Sequence, residues 1–438
     1  MSEGRAVLLG GEQARWRFLW REWWPVLLIW SCLALLPFAR SVEVPVVIMA
    51  GLGLRLLFKH GRTLVWQGPA RLFSVVFFLF WVPALLALPD AVHGQKSLIG
   101  TLAYPRFYLA GLFILHVAAR PALRRRLLWL SACLVLVWLA DAVLQFVVGR
   151  DILGYEYVPG RLNALFGEES KRFGYVLVIL VPLLFEYARR HWPRSVQAVV
   201  VLVTVAVVLL AGSRAAWITL FVIGVAYLVL HARARGAVPW RALGGFVLGV
   251  ALILAAAYTL HEPFHQRLDK SLLVLQGDKA SVDTAISHRL PIWTVAIAIY
   301  ADHPVNGIGM HGFRYAYVNY AQPDDPFVNP KTGTGALHAH QLILEIAAET
   351  GSFGLVGFII ALFLVLRLGL RAPPAARPAL LPWGLMLLAL LFPLNTHVPA
   401  YSQLLSVLLW WATALFVASG TEGAVACLGG ECGEAKQV

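Results

Sequence analysis

The feature that most constrains this chain is repetition: uncharged apolar runs near 20 residues long recur almost from end to end. A helix needs about that length to cross the hydrocarbon core of a bilayer. Composition agrees, with 59% hydrophobic and 13% charged residues, against roughly half and a quarter in soluble domains. The spacing predicts an all-α integral membrane protein with about twelve transmembrane helices. They are expected near residues 22–39, 44–58, 70–88, 101–119, 127–148, 173–188, 196–212, 215–231, 242–260, 352–370, 378–393 and 401–419. Residues 1–438 read as a single polytopic membrane domain, and the first run, from Trp23, lacks a small-residue cleavage pattern and reads as a retained helix.

Orientation follows from Lys and Arg, which favour cytoplasmic loops. Arg15, Arg17 and Arg21, then Arg55 and Lys59, Arg124 to Arg126, Arg189 to Arg194, Arg233, and Arg367 to Arg377 all fall on one side of the predicted spans. Both termini, including the tail 420–438, are therefore expected in the cytoplasm. The formal charge of +13 is spread as punctuation between apolar runs and forms no stripe. The expected partner of these cations is membrane lipid, and no nucleic acid. Cys32 and Cys133 lie in apolar helices and Cys427 and Cys432 in the tail, so no external disulfide is expected. The tail pair has no second cysteine pair or histidine near it to complete a zinc site.

Two external segments break the pattern of short connections, about 149–172 and 261–351. The second is long enough to carry function. Within it, His288 to Tyr300 has apolar residues at helical spacing, predicting an amphipathic helix at the membrane surface, and Gln341 to Ala348 continues helically into the next span.

Ionisable groups gather on this external side, where charge near a membrane carries a cost. Arg214 stands among small residues in Ala211-Gly212-Ser213-Arg214-Ala215. Its guanidinium fork suits a phosphate; the ordinary alternative is an arginine reaching to lipid headgroups. Arg289 follows His288 at a helix start, where backbone amides add to an anion site, or it is simply a solvated charge. Arg161, in the shorter loop, is a third guanidinium able to converge on one diphosphate. His338 and His340 stand where the long loop meets a helix and suit general-base work, or are interfacial histidines bonded to backbone. No carboxylate pair or cysteine completes a metal set around them, so no metal and no cofactor is expected. Asn395, His397 and Tyr401 form a further polar cluster in the last external turn. A Walker-type phosphate loop and a Gly-x-Ser-x-Gly elbow are both absent, which argues against ATP hydrolysis and serine hydrolase chemistry.

His340-Gln341, nine residues, Gly351, and then Gly354 resemble a pattern of the O-antigen ligase and polymerase superfamily, membrane glycosyltransferases of the GT-C type. Gly212-Ser213-Arg214 before a span, and Arg289 with Trp293 leading into His303-Pro304-Val305-Asn306-Gly307-Ile308-Gly309, are similar to it in the same order. The resemblance implies an O-antigen ligase of a Gram-negative inner membrane, with its long loop and active site in the periplasm. It implies a donor glycan on undecaprenyl diphosphate, a lipid A-core acceptor, and metal-independent, inverting transfer. By the same resemblance His340 is the base, with His338 as the alternative. Arg214, Arg289 and Arg161 bind the diphosphate, with His288 and Trp293 beside them. An O-antigen polymerase or protein O-oligosaccharyltransferase would use the same donor class and differ in acceptor. A lipid-linked glycan transporter is the alternative of another class; paired broken helices in matching halves would be its signature.

Overall fold

The structure, a computed structural model, describes residues 20–66, 68–168, 170–236, 240–393 and 399–420. The tail cysteines and the polar residues Asn395 and His397 lie outside the described residues. Among the described residues there are helices and isolated β-bridges only. In chain order they are α1 (20–34), α2 (Glu43–Trp66), α3 (Gly68–Leu86), α4 (Gly94–Ala103), α5 (Pro105–Ala118), α6 (Pro121–Val148), α7 (Phe173–His191), α8 (Arg194–Leu210), α9 (Arg214–Arg235) and α10 (Trp240–Leu260). There follow α11 (Glu262–Leu272), α12 (Lys279–Ala285), α13 (Leu290–Asp302), α14 (Phe313–Ala316), α15 (Leu342–Arg371), α16 (Arg377–Leu391) and α17 (Gln403–Gly420).

Each predicted apolar run falls on a helix. Seven candidate spans among the described residues are long and apolar enough to cross a membrane: Arg40–Gly61, Gly68–Leu86, Gly94–Ala118, Pro121–Val148, Leu243–Leu260, Leu342–Arg371 and Gln403–Gly420. This is a multi-pass membrane protein. The remaining runs fall short of that measure for local reasons. Helix α8 has 17 residues between Pro193 and the left-handed Gly212, α16 has 15, and α7 ends in Glu186, Arg189 and Arg190.

The bundle is built around α7 and α17, whose side chains are buried along nearly their whole length. Helices apolar all round belong in the interior. At the opposite extreme, no residue of the Leu243–Leu260 window in α10 is buried, and that helix packs mainly on α8 and α11 among the described residues. The core is rich in aromatic rings: Phe77 lies 4.7 Å from Trp410 and Phe80 4.9 Å from Tyr401, centroid to centroid. The Tyr104 hydroxyl, buried among them, accepts from Ser406 Oγ and Trp410 Nε1 at 3.1 Å each. Lipid offers little hydrophobic drive between helices, so close contact and satisfied polar groups carry the association.

The long segment after α10 is no open loop. It folds into α11 to α14 with an apolar core of its own, in which Ile292, Ile299, Ile308, Phe313 and Tyr317 pack on Ala348 of α15. The predicted surface helix begins at Leu290, two residues later than expected, and buries Ile292, Val295, Ala296 and Ile299. The more strongly amphipathic helix is α11, which buries Phe264.

A break in α15 locks this segment to the bundle. Gly351 sits at φ 59° and ψ −157° inside the helix. The interruption frees carbonyls that the loop before α14 then uses: Ile308 N–H donates to Ala348 O and Gly309 N–H to Glu349 O, both at 3.0 Å. In return Ser352 N–H donates to Pro304 O at 2.8 Å. A β-carbon at Gly351 would overlap the Val305 carbonyl, so both the dihedral and the space require glycine there. The two sequence motifs singled out above, His303 to Gly309 and His340 to Gly351, are thus halves of one contact.

Candidate active site

Three segments meet at the end of the bundle where α8 stops and α9 starts. The first is the loop 149–172, shaped from below by polar residues of α6. Gln145 Oε1 accepts from the backbone of Asn163 and Ala164 at 3.2 and 2.8 Å, and Asp141 Oδ1 accepts from Ile152 at 2.8 Å. The Tyr157 hydroxyl, 2.8 Å from His261 Nε2 and accepting from Gly160 N–H at 3.3 Å, ties the loop to the start of α11. This holds Gly160 and Arg161 over the α8–α9 turn.

The second segment is that turn. Gly212 takes φ 67° and Ser213 caps α9, its hydroxyl accepting from Ala216 N–H at 3.4 Å. Arg214 is therefore the first helical residue, and its Nη1 donates to the carbonyl of Ala285 at the end of α12.

The third segment is the turn between α12 and α13. Asp283 organises it, with Oδ1 accepting from Leu290 N–H and Oδ2 meeting His288 Nδ1, each at 3.0 Å. Ser287 and His288 both adopt left-handed dihedrals, and Arg289 follows at the helix entry. His288 is exposed, engaged by Asp283, and directly precedes Arg289 in the chain. Trp293 lies one turn into α13, half-buried, with its indole N–H buried and without a partner among the described residues.

Arg267 of α11 joins these pieces and was not singled out by sequence. Its Nη1 donates to Gly160 O, and a β-carbon on either Gly160 or Gly212 would press into its side chain's surroundings, at Gly212 onto the guanidinium itself. Burial, then the charges of Arg161 and Arg214, push the Arg267 guanidinium below its ordinary value. Burial and Arg214 do the same to Arg289. These influences string the groups in the order Arg161, Arg267, Arg214, Arg289, all half-buried. Among the described residues no carboxylate forms an ion pair with any of the four. The signal in the sequence was the spacing of Phe264 and Leu268 in Glu262–Leu272, which buries one face of α11 and fixes where Arg267 can point.

The string ends on histidine. His338 is 8% exposed, and its ring lies 3.8 Å from that of His340, tilted by 43°. Neither ring nitrogen of His338 has a hydrogen-bond partner among the described residues. Burial, His340 and then Arg289 hold its pKa down at about 3, so the imidazole is neutral with a free lone pair. His340 is half-buried at φ 52°, directly before Gln341, the N-cap of α15. Gln341 Oε1 accepts from Leu344 N–H at 2.5 Å while Nε2 donates to Pro393 O at 3.1 Å. Gln341 is thus a helix cap that also ties the loop to the end of α16.

One and two turns deeper in α15 are Glu345 and Glu349, 3% and 2% exposed, each with one carboxylate oxygen unpartnered among the described residues. Glu349 accepts from Phe313 N–H at 3.3 Å, and Tyr401 lies nearby with its hydroxyl 3.2 Å from Thr350 Oγ1. Among the described residues no three His, Cys, Asp or Glu side chains converge as a metal site.

Guanidiniums without a carboxylate partner among the described residues thus lead to a neutral histidine at one end of an apolar bundle, an arrangement able to hold a multiply charged anion beside a proton acceptor. Residues 198–359 match the family model described as O-antigen ligase, a match that supports assigning the chain to the O-antigen ligase family. The matched segment carries Arg214, Arg267, Arg289, His338 and His340; Arg161 lies before it. A search of curated proteins finds no match.

Proposed function

We propose that the protein is an O-antigen ligase of a bacterial inner membrane. It moves a glycan from undecaprenyl diphosphate to a hydroxyl of lipid A-core oligosaccharide, on the periplasmic side, with both termini in the cytoplasm. The observation that carries this reading is the string Arg161, Arg267, Arg214, Arg289 ending on unpartnered His338. Four half-buried cations without carboxylates call for a multiply charged anion, and a diphosphate supplies it.

In this reading the acceptor oxygen attacks the anomeric carbon from the face opposite the diphosphate. The carbon–oxygen bond to phosphate breaks as the new glycosidic bond forms, so the configuration inverts. Undecaprenyl diphosphate leaves with the bonding pair, and the arginines stabilise the charge growing on it. His338 takes the acceptor proton, a role typically worth about 10²–10⁴-fold. Burial is the largest cause of its low basicity, and a diphosphate held by Arg289 would offset only the smallest of the three causes, raising the basicity in part. Motif spacing favours His340 as the base; the unpartnered nitrogens of His338 and its coupling to Arg289 favour His338. His340 then packs against the base and orients it. Holding two membrane-bound substrates at headgroup level lowers the entropic cost of their meeting.

The test is transfer by purified protein from undecaprenyl-diphosphate-linked glycan to lipid A-core, without ATP or divalent metal. Product at the lipid A-core supports the ligase. Glycan chain extension on the donor alone would reassign the enzyme as a polymerase, and movement of intact donor across vesicles without product would make it a transporter.

A further inference from the structure

A second cationic cavity lies at the opposite end of the bundle, where α6 begins and α7 ends. It has a volume of about 360 Å³ and is lined by Arg125, Arg126, Trp129, Tyr187, Arg190 and His191. Arg125 and Trp129 are one turn apart on α6, and Tyr187 and His191 one turn apart on α7, so two packed helices turn matching faces into it.

Its charges are only partly answered. Glu22 is shared by Arg120 and Arg126 at 3.2 and 3.1 Å, and Glu186 by Arg189 and Arg190 at 2.7 Å each. Arg125 is exposed and forms no ion pair with a described carboxylate. Arg124, Arg125 and Arg126 also stand near the N-terminal end of α6, where the helix dipole disfavours cations and favours an anion. The aromatic walls are ordered: His191 stacks on Tyr187 with ring centroids 4.3 Å apart, and Trp129 meets Trp23 edge to face at 6.2 Å. Amphipathic rings of this kind sit at the headgroup level of a bilayer.

We propose that this cavity binds a phosphate or phosphodiester group, the guanidiniums taking the oxygens and the rings lying against the carbon skeleton that bears it. An anionic phospholipid headgroup is the membrane's own source of that chemistry. The site is separate from the His338 cluster and does not depend on the glycan-transfer reading.

The experiment is native mass spectrometry of the full chain released from detergent after exposure to phosphatidylglycerol or phosphatidylcholine, with or without millimolar inorganic phosphate. Parent, Arg125→Gln, Arg125→Lys and Arg289→Gln proteins are compared. Arg125 is exposed and unpaired, so its replacement leaves the fold intact, and Arg289→Gln separates this cavity from the other cationic site. The parent is expected to retain phosphatidylglycerol over phosphatidylcholine. Arg125→Gln should retain about fivefold less, while Arg125→Lys stays near the parent; loss in Arg289→Gln with none in Arg125→Gln would move the retained lipid to the other cationic site and overturn the proposal. Displacement by inorganic phosphate would assign the site to a soluble phosphate, and no displacement assigns it to the lipid. Equal retention of both lipids, or no change in Arg125→Gln, overturns the proposal.

Discussion

His338 and His340 lie with their ring centroids 3.8 Å apart and tilted by 43°, yet only His338 has both ring nitrogens buried and without a partner among the described residues. Two histidines two positions apart in sequence therefore stand in different chemistry. His338→Gln is expected to lower kcat by about 10²–10⁴-fold with little change in KM for donor. His340→Gln should cost less in kcat. Glycan transfer measured with both variants decides between them, and the reverse order would return the base to His340.

Stability should depend on pH through the same imidazole. Folded His338 has a pKa of about 3 against 6.5 for a free histidine. Between those values the unfolded chain binds more protons, so stability is full above pH 6.5 and falls as pH drops towards 3. From pH 7 to pH 5 the loss is about 2 kcal/mol. Thermal unfolding in detergent should show this slope in the parent and a shallower one in His338→Gln. Parallel slopes would mean that His338 is not held neutral by its burial.

Arg267 is expected to act through donor binding. Arg267→Ala removes one charge from the string and frees the loop that carries Gly160 and Arg161. It should raise donor KM by about tenfold, roughly 1.4 kcal/mol. Gly212→Ala, which pushes a methyl onto the guanidinium, should produce a similar shift without removing a charge. A fall in kcat at unchanged KM would place Arg267 with the transition state instead.

Gly351→Ala should destabilise the protein by about 2–4 kcal/mol, from left-handed strain together with overlap on the Val305 carbonyl. Because that contact joins His303–Gly309 to α15, transfer should fall in parallel with folded fraction. Full activity in the protein that remains folded would show that the kink matters only for stability.

The apolar run lengths determined that this chain is a helical membrane protein and where its helices lie, because a bilayer sets one length for every span. The order of short motifs, Gly212-Ser213-Arg214, Arg289, then His340 with Gly351, sufficed for the family resemblance. Those residues are local: each sits at a helix start or a break, where sequence neighbours dictate backbone shape. The crossing count was less legible, since α7, α8 and α16 are short or carry charge at one end. What sequence did not disclose were relations between distant segments. Arg267 has its role from Gly160, more than a hundred positions away, and Gly351 from the Val305 carbonyl. His338 differs from His340 because of what surrounds each ring, with burial and Arg289 acting on the first. A periodicity reports which face of a helix is buried; only packing decides which charges meet there, and whether any carboxylate is close enough to answer them.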